Sequence, residues 1–93
     1  MILASAIKFY IEKTNKEVIL CGYRHCNIFE QLQLLGFEPQ KEYKEIEQGF
    51  IDDRNNFLTR REAFIHAIDC GQIEFRMGRV SSLKGELYSE DLW

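Results

Sequence analysis

Residues 18–36, Val-Ile-Leu-Cys-Gly-Tyr-Arg-His-Cys-Asn-Ile-Phe-Glu-Gln-Leu-Gln-Leu-Leu-Gly, change period partway. Val18 to Cys21 is a β-branched, apolar run that Gly22 ends. Ile28, Leu32 and Leu35 then recur at i, i+4 and i+7, with Phe29 beside them, which is the stripe of an amphipathic helix over 25–35. Gly36 stands where a left-handed C-cap belongs, and Pro39 prevents continuation. Phe37 is expected to fold back over the last turn.

Upstream, Met1 to Glu12 alternates, imperfectly, with Ile7, Phe9 and Ile11 on one side and Lys8, Tyr10 and Glu12 on the other. A period of two makes a half-buried strand. The polar break Thr14-Asn15-Lys16 joins it to the second run, so residues 2–22 read as a β-hairpin. Downstream, residues 38–52 carry a local charge of −3 and contain a short strand candidate, Gln48-Gly49-Phe50-Ile51. The turn Asp53-Arg54-Asn55-Asn56 leads to another at Phe57-Leu58. Thr59-Arg60-Arg61-Glu62 has capping-box spacing ahead of a second helix, with Ala63, Phe64, Ala67, Ile68 and Cys70 along one side and Gly71 as its stop. Ile73–Arg76 reads as a short strand, Ser81–Glu86 as a loop, and Glu90–Trp93 as a tail held by its apolar end. The order β-β-α-β-β-α predicts a small single α+β domain over residues 1–93, with a mostly antiparallel sheet and two helices. It contains no glycine-fingerprinted βαβ unit, which disfavours a doubly wound nucleotide fold.

Ninety-three residues with 45% hydrophobic and 29% charged side chains suit one modest core and exclude a disordered chain. A net charge of −3 disfavours duplex nucleic acid, whose binding rests on neutralising many phosphates. Three cysteines, an opening segment without a basic signal region, and no long apolar run point to free thiols in a reducing cytoplasm and no membrane span. Two exposed edges on a small sheet invite self-association.

Five of the six arginines fall at Arg54, Arg60, Arg61, Arg76 and Arg79, a stretch that nets +1 within an acidic chain. Arginine suits bidentate binding of phosphate or carboxylate. Arg60 and Arg61 also open a helix, against the macrodipole preference, where a phosphate would meet backbone amides as well as guanidinium groups. A solvated, salt-bridged face is the bland alternative. Neighbours on a helix diverge, so one of the two arginines suffices for a ligand, and replacing either is expected to leave the fold intact. Phe50 and Phe57 are stacking candidates, Phe64 a core residue, and Tyr23 lies beside Arg24-His25. Cys21, Cys26, His66 and Cys70 could assemble four zinc ligands, but they lack any C-x-x-C spacing, and buried free cysteines are the commoner outcome. Cys26 next to His25 invites a thiol nucleophile, yet adjacent helical residues point about 100° apart, so His25 is poorly placed as its base. Neither metal nor cofactor is expected, and no enzyme.

Taken together, Arg24-His25-Cys26, Gln48-Gly49-Phe50, Phe57-Leu58-x-Arg60-x-Glu62-Ala63, Gly71-Gln72-Ile73 and Leu87-x-Ser89-Glu90-Asp91-Leu92-Trp93 resemble small phage and prophage proteins of the anti-Thoeris sponge family, the first-named Thoeris anti-defence family. The resemblance runs over nearly the whole chain. It implies a non-catalytic protein that sequesters immune messengers in the infected cell: glycocyclic ADP-ribose made by TIR-domain proteins, and, for some sponges, cyclic trinucleotides bound in a hexamer. By motif it implies ligand contacts at Arg24, His25, Phe50, Asn56, Phe57, Arg60 and Arg61, and a homo-oligomer, dimer or hexamer. The chain departs from the pattern in its compactness and in Arg54 and the two asparagines before Phe57, which leaves the ligand open. Two other classes stand beside this one: a protein-interaction module that inhibits a host defence protein through the same arginines and aromatics, and a nucleotide-cleaving enzyme, which needs a base that the sequence does not reveal.

Overall fold

The alternating and helical runs fold in the expected order. The computed structural model describes residues 1–39, 41–73 and 85–92. Strands β1 (Ile2–Ile11) and β2 (Lys16–Gly22) form the hairpin, α1 (His25–Leu34) follows, then β3 (Tyr43–Asp52), β4 (Phe57–Thr59) and α2 (Arg60–Asp69), with a short 3-10 turn at Ser89–Asp91. The result is a small single α+β domain with one antiparallel four-stranded sheet in the order β2-β1-β3-β4. Asn15 takes the left-handed conformation that closes the hairpin, at φ 54°. Gly36 and Gly71 end the two helices at φ 85° and 76°, where a Cβ would be strained.

Both helices lie on one face of the sheet. Ile7, Phe9 and Ile11 of β1 pack with Ile28, Leu32 and Tyr43 under α1. Ile2 and Phe50 pack with Ala63, Phe64, Ala67 and Leu87 under α2, and Leu92 closes against them. Phe9 and Phe50 are wholly buried, and a buried phenylalanine contributes about 1.5–3 kcal/mol. Phe37 does fold back: its N–H donates to the Leu32 carbonyl at 3.1 Å.

β3 runs to ten residues, longer than the 48–51 strand that the sequence suggests. Its first half escapes a period-two reading because the pairing with β1 slips between Lys8 and Phe9, whose partners are Glu47 and Glu45. Ile46 is the extra residue, and the bulge breaks the alternation. The Gln48-Gly49-Phe50 motif also finds its reason here. A Cβ on Gly49 would collide with the Leu58 carbonyl oxygen and lie 2.8 Å from Phe57 Cζ, so only glycine lets β4 close on β3. The strand expected over 73–76 and the loop over 81–86 fall largely outside the described residues, as does Trp93. Among the described residues no helix is long and apolar enough to cross a membrane.

Candidate functional site

Thr59 starts α2 as its spacing requires. The Thr59 hydroxyl accepts from the Glu62 N–H at 3.2 Å, and Glu62 Oε1 accepts from the Thr59 N–H at 2.9 Å. The Thr59 amide, its hydroxyl and the charge of Lys8 hold the Glu62 carboxyl below its ordinary range.

This cap sets the direction of the two arginines. Arg60 turns inward. Its Nη1 donates to the Leu87 carbonyl at 3.0 Å, its Nη2 donates to Gln48 Oε1 at 2.5 Å, and the guanidinium lies 4.7 Å from the centre of the Tyr88 ring. The Arg60 carbonyl in turn accepts from the Leu87 N–H at 2.8 Å. Arg60 therefore ties the C-terminal segment to the sheet, contacts that speak against its replacement sparing the fold. Arg61 is exposed. Both line an open groove of about 520 Å³ with Gln48, Glu45, Glu47 and Glu86. The sequence reading missed these four, because only the length and register of β3 bring acidic residues 45 and 47 beside the start of α2.

The other proposed contacts do not gather there. His25 is buried: its Nε2 donates to the Gly49 carbonyl at 2.8 Å, and its ring meets Phe50 edge-on at 5.3 Å. Phe50, at 0% exposure, offers no face for a base to stack on. Phe57 pairs with Ile51 and lies over Gly49 on the opposite face of the sheet from the helices, with Lys8 Nζ 5.0 Å from its ring centre. Asn56 serves its own turn. Its N–H donates to Asp52 Oδ1 at 2.8 Å and its Nδ2 to Asp52 Oδ2 at 3.2 Å, while the Arg54 N–H also reaches Oδ1 at 2.9 Å. These bonds, led by the Asn56 amide and aided by His66, hold the Asp52 carboxyl below its ordinary range. Arg24 occupies the N-cap position of α1, 6.0 Å from the Tyr23 ring. A guanidinium cannot accept a hydrogen bond, so the cap is made by Asn27, whose Oδ1 accepts from the Arg24 N–H at 3.0 Å.

The cysteines correct an expectation. Cys21, Cys26 and Cys70 are free thiols and all three are exposed, not core residues. Cys21 pairs with Ala6 on the helix-free face, where partial burial pushes its thiol up. Among the described residues, no three of Cys21, Cys26, His66 and Cys70 come together as a ligand set. Among the described residues the one grouping of potential ligands is Asp52, Asp53 and His66, within 4.8 Å of one another, and the Met1 amino group already sits 2.8 Å from His66 Nε2.

Fold and groove together define a small α+β protein that presents two arginines and three carboxylates at the start of its second helix. The chain belongs to the phage T4 y16D protein family, whose sequence model matches residues 1–93. That agrees with the phage part of the resemblance and carries no anti-Thoeris assignment. No curated protein and no solved structure matches the chain.

Proposed function

We propose that this phage protein is a non-catalytic sponge that binds a nucleotide-type immune messenger in the groove at the start of α2. Glycocyclic ADP-ribose is the preferred ligand and cyclic trinucleotides are the second. The observation that carries this reading is the mixed charge of the groove, with Arg60 and Arg61 facing Glu45, Glu47 and Glu86. A pyrophosphate suits forked guanidinium groups. Ribose hydroxyls and an exocyclic amine are donors, and ionised carboxylates accept from them. Each further phosphate would meet one of the three acids, which favours the pyrophosphate messenger over a trinucleotide and disfavours duplex nucleic acid. No cofactor is invoked, and such a protein acts in the cytoplasm of the infected cell.

Incubation with messenger followed by heat denaturation tests this. A sponge returns the ligand intact, an enzyme returns products, and a protein inhibitor captures nothing. The same reading includes a homo-oligomer, dimer or hexamer, formed through strand edges such as β2. Sedimentation at micromolar concentration should give a mass above the 11.0 kDa monomer, and a monomer contradicts that part. One feature favours a second reading, direct inhibition of a host defence protein: Leu34 and Leu35 at the end of α1 are 88% and 70% exposed.

A further inference from the structure

Glu45 lines the groove beside Arg60 and Arg61. That residue also lines a second cavity of about 560 Å³, whose other walls are Phe29, Phe37, Tyr43, Pro39 and Gln33. The register explains why one side chain serves both. Tyr43 and Glu45 pair with Ile11 and Phe9, so both belong to the face that carries the helices; Tyr43 is buried with Ile28 and Leu32 of α1, and Glu45 is exposed. Phe9, wholly buried, lies behind two of these walls. It meets Phe29 at 5.8 Å and 87° and Tyr43 at 5.3 Å and 88°, so both rings stand upright from it. Phe29 and Phe37 are half-buried and keep part of their surface open.

A hydrogen-bonded chain joins the two compartments. Arg60 Nη2 donates to Gln48 Oε1 at 2.5 Å, and Gln48 Nε2 donates to Glu45 Oε1 at 2.8 Å. Gln48 thereby fixes the carboxylate at the junction and the guanidinium beyond it. One end of this cleft is aromatic, the middle holds an acceptor, and the far end holds two guanidinium groups.

We infer that the cleft is a bipartite nucleotide site: the base stacks against Phe29 and Phe37, beside the buried Tyr43, its exocyclic amine or its ribose hydroxyls donate to Glu45, and the phosphates reach Arg60 and Arg61. This rests on the proposed function and moves the stacking platform away from Phe50 and Phe57, one buried and the other on the opposite face of the sheet. Aromatic stacking tolerates any base, so the Glu45 acceptor supplies the preference for a base or sugar that donates.

Titration with ADP-ribose and with inorganic pyrophosphate tests both levels separately. The parent should bind ADP-ribose more tightly than pyrophosphate, and ADP-ribose alone should shift the ring protons of Tyr43 and Phe29 in NMR spectra. Phe37→Leu keeps an apolar side chain against the α1 cluster, and it should weaken ADP-ribose about tenfold while leaving pyrophosphate unchanged. Retained pyrophosphate binding shows that the variant is folded. Glu45→Gln should likewise weaken ADP-ribose alone. If pyrophosphate binds and ADP-ribose gains nothing over it, or if Phe37→Leu and the ring protons are indifferent to the base, the bipartite site is wrong while the phosphate end stands. If the parent binds neither probe, the proposed function fails and this inference fails with it.

Discussion

His25 Nε2 lies 2.8 Å from the Gly49 carbonyl oxygen, a bond from the first turn of α1 to the middle of β3 inside the protein. A carbonyl can only accept, so Nε2 carries a proton, and the imidazole is a structural donor. His25→Ala should leave that carbonyl unsatisfied beside a cavity against Phe50 and cost about 2–4 kcal/mol. Denaturant unfolding checks this. A variant as stable as the parent would show that the bond contributes little.

Arg60 and Arg61 should separate in stability although they are neighbours. Arg60→Ala removes the link from Gln48 to Leu87 and Tyr88, and should destabilise by about 1–3 kcal/mol as well as weaken ligand binding. Arg61→Ala should change stability by less than about 0.5 kcal/mol, as exposed substitutions do. Equal thermal midpoints for the two variants would contradict the anchoring role of Arg60.

Acid should unfold the protein through two named carboxyls. Asp52 and Glu62 both sit below their ordinary range, held by the amides of Asn56 and Thr59. A depressed folded-state value stabilises fully above the unfolded value of about 4 and is lost as pH falls through the folded value. The thermal midpoint should therefore hold from pH 7 to about 5 and drop below about 4. Asp52→Asn should flatten that drop. An unchanged acid limb would assign the loss to other groups.

Much of this fold is legible because its signals are local. Ile28 and Leu32 mark one helical face, Thr59 and Glu62 sit three residues apart, and Gly36 and Gly71 stop the helices within one turn of their last apolar residue. The first half of β3 is hidden because Lys44, Glu45 and Glu47 mask the strand and the bulge at Ile46 breaks its period. The site was less legible because it depends on register. Phe50 and Phe57 look equivalent in sequence, but Ile51 pairs with Phe57 and Phe50 with Leu58, which sends the two rings to opposite faces. Arg24 and His25 likewise stand side by side, yet only the imidazole turns inward. Glu45 carries no motif and Gln48 only opens Gln48-Gly49-Phe50, and they become part of a site only through the register of β3 beside the start of α2.

Calorimetric titration of the parent and of Arg61→Ala with glycocyclic ADP-ribose tests the central claim most directly. Arg61 is exposed at the groove, so its loss reports on ligand without disturbing the core. The parent should bind, and Arg61→Ala should lose about 1.5–3 kcal/mol of affinity, the range of a hydrogen bond to a charged group. A parent that takes up no messenger, or an Arg61→Ala variant that binds as the parent does, would contradict a phosphate site at the start of α2.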